Sequence, residues 1–312
     1  MTDDAIGTQQ AVLRAMYERH VGIGDPYALV DFPDHANVGD SAIWLGEIAM
    51  LRAVTGRDPD YVSTWENFDA DAFHRASPNG VLFLHGGGNL GDIWLHHQMF
   101  RESMLATVRD RRVVQLPQSI HFRAPDRIAR FATLVADHPD FHLHVRDRGS
   151  LDFARRHLAC PVDLMPDSAF ALGRQARLSA EHDVLMLVRA DDEQAGHGWD
   201  ALAWIADAIR LDWLVDDALP VARGSRVDHY AALATARVER GLALVSRGRR
   251  IVTDRLHGHI LALLLDIPHV ALDNDYGKIS GYIDTWTSGS SRVRVARTMA
   301  EAAAYLASGT GR

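Results

Sequence analysis

The chain contains a single cysteine and a single lysine among its 312 residues. One cysteine, Cys160, excludes an internal disulfide and any zinc cluster built on cysteines. No stretch approaches the roughly 18–20 consecutive apolar residues of a membrane-spanning helix, and the acidic N-terminus lacks the hydrophobic core of a secretion signal. The sequence therefore predicts a cytoplasmic protein.

The chain has no excess of positive charge, since 33 basic residues against 41 acidic ones give a formal net charge of -8. Binding to a nucleic-acid backbone requires a basic surface, so this charge argues against nucleic acid as the main partner. Hydrophobic residues make up 47% and charged residues 24% of the chain, as in ordinary globular proteins. A chain of this length can form two domains.

Apolar strand-like runs alternate with helical patterns along the chain, which predicts an α/β fold with parallel sheets covered by helices on both faces. Predicted strands cover residues 28–32, 80–85, 112–116, 143–146, 162–165, 184–189, 213–215, 251–253 and 292–295. Predicted helices cover residues 41–54, 94–109, 126–136, 150–157, 199–209, 228–246, 260–265 and 298–307. Because residues 173–183 look like a linker, we predict two doubly wound, Rossmann-like domains facing a cleft, at residues 1–175 and 176–312.

The most informative segment is Thr-Asp-Arg-Leu-His-Gly-His at residues 253–259, between a buried strand and an apolar helix. A helix N-terminus attracts anions through its unpaired N–H groups and its partial positive charge. Arg255 and His257 at this position predict a site for a phosphate or a carboxylate. The alternative is a solvated turn in which both side chains only cap the helix.

Lys278 is the only lysine, so the other 32 of the 33 basic residues are arginine. This skew is typical of a compositional bias toward arginine. A lysine retained in a glycine-flanked loop after a strand indicates a need for a compact ammonium group rather than a planar guanidinium. The alternative is that Lys278 is a chance survivor of the bias.

Other polar segments follow predicted strands of the first half, where open α/β sheets bind ligands. Asn37 and Asp40 precede a helix, and residues 85–92 read His-Gly-Gly-Gly-Asn-Leu-Gly-Asp. Gly87 and Gly88 permit close approach of a ligand, with N–H groups directed at anionic or sugar oxygens. Their spacing matches neither the dinucleotide fingerprint nor the phosphate-binding loop that ends in Lys-Ser/Thr.

Three more strand ends carry polar residues. Gln118 and His121 can contact sugar hydroxyls, and Arg146 is placed to face the cleft. Asp167 is either a turn residue or a ligand contact.

Taken in order, these motifs resemble the polysaccharide pyruvyl transferase family over residues 31–286. The resemblance is carried by Asn-Val-Gly-Asp, His-Gly-Gly-Gly-Asn-Leu-Gly-Asp, Pro-Gln-Ser-Ile-His, Arg-Asp-Arg-Gly-Ser, Pro-Asp-Ser, Thr-Asp-Arg-Leu-His-Gly-His and Asp-Asn-x-Tyr-Gly-Lys. Each motif is short, but their ordered combination is specific.

The resemblance implies a fold like that of two-domain GT-B-like glycosyltransferases and transfer of a pyruvyl group from phosphoenolpyruvate to a sugar as a ketal. It implies a donor-binding set of Arg146, Arg255, Leu256 (through its backbone) and His257, and it places His121 toward the acceptor sugar. The domain at residues 1–175 is then the acceptor side, and the domain at 176–312 is the donor side.

This chemistry fits the residue types independently. Phosphoenolpyruvate carries a carboxylate and a phosphate, which suit arginine, and ketal formation requires an acid, a base and cations near the leaving phosphate. Lys278 and the arginines hold charge, and His257 either donates a proton or clamps the phosphate. The predicted catalytic residues are His257, Arg255, Asp40 and Asp92, the two aspartates being candidate bases. The predicted acceptor-binding residues are Asn37, Gly87, Gly88, Asn89, Gln118 and His121.

We expect no metal and no cofactor besides the donor substrate. The expected partners are phosphoenolpyruvate and a sugar or lipid-linked oligosaccharide of exopolysaccharide synthesis, the latter bringing the protein to the periphery of a membrane-bound assembly complex. Two alternatives stay open: a nucleotide-sugar glycosyltransferase, and a non-catalytic carbohydrate-binding partner in polysaccharide assembly.

Overall fold

The computed structural model describes residues 5–189, 202, 205–215, 224–273 and 278–308, with only the backbone of Lys278 included. The fold is α/β, with two parallel sheets flanked by helices, as the alternating pattern predicts. Within the described residues, no helix combines the length and the apolar character that crossing a bilayer requires.

The first sheet has the strand order β2-β1-β3-β5-β6-β7, with β4 paired to β5. Its strands are β1 (Tyr27–Val30), β2 (Tyr61–Ser63), β3 (Val81–Leu84), β4 (Gly87–Gly91), β5 (Val113–His121), β6 (Phe141–Val145) and β7 (Val162–Leu164). The helices of this half are α1 (Ala5–Tyr17), α2 (Val38–Thr55), α3 (Ala70–Ala76), α4 (Leu95–Thr107), α5 (Pro125–Asp137) and α6 (Arg148–His157), followed by a 3-10 helix at Ser168–Leu172.

The second sheet has the order β12-β11-β10-β8-β9. Its strands are β8 (His182–Leu187), β9 (Ala208–Leu211), β10 (Gly248–Thr253), β11 (His269–Leu272) and β12 (Val293–Ala296). The helices of this half are α7 (Arg226–Ser246), α8 (Leu256–Leu264), α9 (Lys278–Trp286) and α10 (Met299–Ala307).

Two predictions about the backbone are wrong. The strand predicted at 213–215 is instead β9, which pairs with β8 a few residues earlier. Trp213 attracts a strand assignment because it is apolar, but its side chain is buried in the core. The helix predicted at 199–209 is contradicted at its end, where residues 205–207 are not helical; residues 199–201, 203 and 204 lie outside the described part.

The glycine-rich segment after β3 forms a further strand, β4, which pairs with β5 and which the sequence analysis does not predict. Similarly, β5 continues through Pro117 to His121 with a shift in register against β6. The loop predicted around Lys278 includes the start of α9.

One hydrophobic core joins the two sheets, since Leu29 and Trp44 belong to the same buried cluster as Leu185 and Leu261. Helices α2 and α7, from different halves, lie close together at Gly241. A Cβ atom there would lie 2.2 Å from Val38 Cγ1, so only glycine allows this approach. The domain boundary between residues 175 and 176 stays a prediction.

Candidate functional site

A cavity of about 470 Å³ opens where strands of both sheets end. Its wall combines segments that follow β1, β4 and β6 of the first sheet with segments that follow β8, β9 and β10 of the second. The lining residues are His35, Asn37, Asp40, Gly88, Asn89, Trp94, His96, His97, Arg146, Arg189, Trp213, Leu214, Asp254, Arg255, Leu256, His257 and Ile279. The volume suits a small ligand.

Arg255 lies at the N-terminus of α8 and is 4% exposed. Its Nη2 atom donates a hydrogen bond of 2.8 Å to Asp212 Oδ2, and its guanidinium lies 5.8 Å from the ring centre of Trp213. Within the described residues, its Nε atom has no hydrogen-bond partner. Arg255 is therefore held in place at the cavity wall by Asp212 and Trp213.

Asp167 connects the two walls of the cavity, the first formed by the half of the chain that holds the first sheet and the second by the half that holds the second sheet. Its Oδ2 atom accepts a hydrogen bond of 2.6 Å from Arg146 Nη1, which follows β6 of the first sheet, and lies 3.4 Å from His257 Nε2 on α8. Its Oδ1 atom accepts from the backbone N–H of Ala169. Burial alone would raise the pKa of Asp167, but the charges of His257 and Arg146 and these hydrogen bonds hold it below the ordinary value. Asp167 is therefore an ionised link between the guanidinium of Arg146 and the imidazole of His257.

The start of α2 packs against the imidazole of His257. Asn37 caps the helix by accepting from the backbone N–H of Gly39, and it donates 2.8 Å to Asp40 Oδ2. A Cβ atom on Gly39 would lie 2.3 Å from His257 Nδ1. The glycine therefore allows the imidazole to sit against the helix.

Asp40 lies in the cavity wall with a mostly buried carboxylate. Burial would raise its pKa, but the neighbouring imidazoles of His35 and His257, with smaller effects from other charges, hold the pKa below its ordinary value. Asp40 therefore carries a negative charge at neutral pH.

Asn89 is oriented by two buried side chains. Its Oδ1 atom accepts hydrogen bonds of 2.8 Å from both Gln118 Nε2 and Arg101 Nη2. Burial lowers the pKa of Arg101 to about 10, so it remains charged. Because Oδ1 accepts both hydrogen bonds, the NH₂ group is the part of this cavity-lining amide that can donate to a ligand.

A model of the polysaccharide pyruvyl transferase family matches residues 37–276. The chain belongs to this family. Pyruvyl transferase 1 of Schizosaccharomyces pombe is 33% identical to it over 90% of this chain and 75% of that protein. EpsO of Bacillus subtilis, which is named as a pyruvyl transferase by assignment, is 27% identical over 85% of this chain and 86% of the EpsO chain. The protein is a transferase, and the resemblance found in its motifs is confirmed.

An uncharacterised protein of Klebsiella pneumoniae has a solved structure that covers 96% of this chain, and all of that structure is matched, with a TM-score of 0.60. The two sequences are 17% identical, so the likeness shows a common fold and nothing further.

The structure brings most predicted site residues of this transferase together. Those lining the cavity are Asn37, Asp40, Gly88, Asn89, Arg146, Arg255, Leu256 and His257. They come from both halves of the chain, as expected for a cleft that lies between the carboxyl ends of the strands of two sheets.

Other predicted residues lie outside the cavity wall. Asp92 accepts hydrogen bonds from the backbone N–H groups of Arg123 and Ala124. Gln118 is buried behind Asn89, and Gly87 and His121 also lie off the wall in β4 and β5. Their proposed contacts with substrate stay predictions.

Lys278 begins α9, and its side chain lies outside the described residues. Its predicted role in donor binding is therefore untested.

Nine lining residues are not among the predicted site residues: His35, Trp94, His96, His97, Arg189, Trp213, Leu214, Asp254 and Ile279. Asp254 belongs to the segment 253–259 that the sequence singles out, but no role was assigned to it. Arg189 follows β8, so the same argument from strand ends could have included it. The group Trp94, His96 and His97 had a signal of its own, because it follows the glycine-rich segment directly.

Proposed function

We propose that this family member transfers a pyruvyl group from phosphoenolpyruvate to two hydroxyls of a sugar in a polysaccharide or its precursor, forming a ketal and releasing phosphate. The observation that carries the proposal is the meeting of Arg146, Arg189 and Arg255 with the N-terminus of α8 in one small cavity. Three guanidinium groups and a helix N-terminus suit a compact ligand with two anionic groups.

The donor is bound from both sides in this proposal. Arg146 comes from the first sheet, while Arg255, His257 and the backbone of Leu256 come from the second. Phosphoenolpyruvate carries its carboxylate and its phosphate on the same central carbon, so arginines on opposite walls can hold one group each. The finer arrangement of a GT-B-like fold, with an acceptor side at 1–175 and a donor side at 176–312, belongs to this proposal.

The reaction balances without an additional reactant. A proton adds to the methylene carbon and gives a methyl group, and the adjacent carbon becomes oxocarbenium-like. One sugar hydroxyl attacks this carbon and loses its proton. A second hydroxyl then replaces the phosphate, which leaves with the bonding electrons and takes up the remaining proton.

The charged residues of the cavity support different steps of this reaction. His257, held beside Asp167, is placed to donate a proton or to clamp the phosphate. Ionised Asp40 stabilises the cationic carbon, and the arginines stabilise the departing phosphate. These groups supply the charges that the steps need, and the proposal therefore includes no metal or cofactor.

The acceptor side of the proposal consists of Asn37, Gly88 and the oriented amide of Asn89. The acceptor is a saccharide, free or carried on a lipid. The proposal places the reaction in the cytoplasm, where a lipid-linked acceptor would bring the enzyme to the edge of a membrane-bound assembly complex.

The test measures phosphate release from phosphoenolpyruvate with a panel of galactoside and mannoside acceptors, beside nucleotide release from sugar nucleotides. Arg255→Ala should weaken donor binding by about 2 kcal/mol or more, because it removes a buried charged contact. Arg247→Ala, which breaks an ion pair with Glu181 outside the cavity wall, is the matched control.

Unchanged donor affinity in Arg255→Ala would contradict the donor site. Turnover of sugar nucleotides alone would favour the glycosyltransferase alternative, and binding without turnover would favour a non-catalytic role.

A further inference from the structure

We infer that His97 is the base that takes the proton from an acceptor hydroxyl, and that Asp31 is the positioning residue that holds His97 for this step. The inference rests on the proposed pyruvyl transfer and assigns a role to residues outside the predicted site. His97 lines the cavity in the first turn of α4, and Asp31 follows β1.

The two side chains form a buried pair. His97 Nδ1 and Asp31 Oδ1 lie 2.8 Å apart, and the side chains are 9% and 3% exposed. A carboxylate at Nδ1 fixes the tautomer with a proton on that nitrogen, which leaves the lone pair of Nε2 for a ligand. This is the arrangement by which an aspartate orients a catalytic histidine.

The backbone at Asp31 supports a functional reason for the pair. Asp31 has φ of +72°, and Asp266 is the only other non-glycine residue with positive φ in the described part of the chain. Asp266 is exposed and paired with Arg292 on the surface. Asp31 is buried, and its carboxylate is paired with His97. Unfavourable backbone conformations of this kind concentrate at functional sites.

The proposed reaction needs such a base. Arginine remains protonated at neutral pH, and the lowered pKa of Asp40 makes its carboxylate a weak proton acceptor. His257 lies beside Asp167 next to the donor arginines, where it must carry a proton if it is the acid. With His97 as the base, one imidazole donates the proton to the donor and another accepts the proton of the acceptor hydroxyl.

His97 is distinguished from the other imidazoles of the first wall. His96 is exposed, and its ring lies against that of Trp65 in a tilted arrangement, with ring centres 4.9 Å apart. His35 Nε2 lies 3.6 Å from Asp40 Oδ2, beyond hydrogen-bond distance, and the side chain of His35 is 44% exposed. Among the described residues lining the cavity, His97 is the histidine with a direct hydrogen bond to a buried carboxylate.

The assigned step conserves atoms and charge. The hydroxyl oxygen forms its bond to the central carbon of the activated donor while Nε2 of His97 accepts the hydroxyl proton. The imidazolium that forms is stabilised by the carboxylate of Asp31. The proton then passes to the departing phosphate, which restores the neutral imidazole. Asn89, from the same wall, is placed to donate a hydrogen bond to the attacking sugar.

The experiment compares His97→Gln with His96→Gln, which removes the adjacent imidazole from the same wall. With both substrates saturating, His97→Gln should lower kcat by roughly 100- to 10,000-fold, and His96→Gln should lower it far less. The Kd for phosphoenolpyruvate, measured by calorimetry, should remain close to that of the unmodified enzyme in both variants. Asp31→Asn should lower kcat with the same pattern.

Free imidazole added to His97→Ala should restore part of the lost turnover, which a purely structural role would not allow. Three results would overturn the inference: a kcat for His97→Gln like that of His96→Gln, loss of donor binding in His97→Gln, or no rescue by imidazole. If the unmodified enzyme releases no phosphate from phosphoenolpyruvate with any acceptor, the proposed function itself fails. Active unmodified enzyme with an active His97→Gln variant contradicts only the role of His97.

Discussion

Replacement of Asp167 by asparagine tests the contact that joins the two walls of the cavity. The substituted side chain would keep its size and its hydrogen bond to Ala169. The change would remove the negative charge between Arg146 and His257, whose side chains are 3% and 11% exposed. Because the side chain of Arg146 is almost fully buried, its charge would be only partly compensated.

Removing one partner of a buried ion pair costs about 3–5 kcal/mol. At this chain length each kcal/mol lowers the melting temperature by roughly 2 °C, so Asp167→Asn should melt roughly 6–10 °C lower. The matched control is Asp266→Asn, which breaks an exposed ion pair with Arg292 and should cost about 0–1 kcal/mol. Thermal and urea unfolding, followed by circular dichroism, measure both.

The pH dependence of stability gives an independent check that the ionised carboxylate of Asp167 stabilises the fold. The folded pKa of Asp167 lies below its unfolded value, which is about 3.9. The ionised carboxylate therefore contributes its full stabilisation above about pH 4, and this contribution is lost as the pH falls through the folded pKa. The stability gap between the unmodified protein and Asp167→Asn should be constant near neutral pH and should narrow below about pH 4.

Equal stability of Asp167→Asn and Asp266→Asn at pH 7 would refute the free energy that we assign to the buried ion pair of Asp167. A gap that stays unchanged into strong acid would refute its electrostatic origin.

Two further predictions concern the donor side. Gly39→Ala should lower stability by about 1–3 kcal/mol through overpacking against His257 and should weaken donor binding, whereas Gly281→Ala, with nothing within 4 Å of the new methyl group, should be neutral or stabilising by up to about 1 kcal/mol. Equal effects in urea unfolding would contradict the close contact. Lys278→Arg should lower turnover while stability changes little, because a planar guanidinium replaces a compact ammonium; full activity in the phosphate-release assay would make the single lysine an accident of composition.

The regular alternation of strands and helices was predictable because each buried strand is a short apolar run with turn residues on both sides. The prediction failed where that signal is weak. Strand β2 has three residues, and β9 is only partly buried along its length. The adjacent Trp213 is more apolar than β9 but lies in the core outside any strand. Local hydrophobicity therefore predicted the positions of the two sheets but misplaced β9, the edge strand of the second sheet.

The carboxyl ends of the strands were the right place to look, since they supply most of the cavity wall. The sequence could not decide which side chains turn toward the cavity. Strand β5 is buried on both faces, so no alternation of polar and apolar residues distinguishes the two sides. The sequence did not show that Gln118 donates a hydrogen bond to Asn89, and its contact with a ligand stays a prediction. His97 was missed because its partner Asp31 lies 66 positions away in sequence.

The donor side of the cavity is not a property of the second half alone. His257 belongs to α8, yet the groups that fix its imidazole are Gly39 and Asp167 of the first half. Helix α7 reinforces this arrangement, because Arg237 donates a hydrogen bond of 3.2 Å to the carbonyl oxygen of Pro33 across the two halves. Since these contacts are buried and the halves share one core, large separation of the walls would expose charged groups and apolar surface together. Substrate is therefore expected to enter through local movement at the mouth of the cavity, while the positions of Arg146 and His257 relative to each other stay fixed by Asp167.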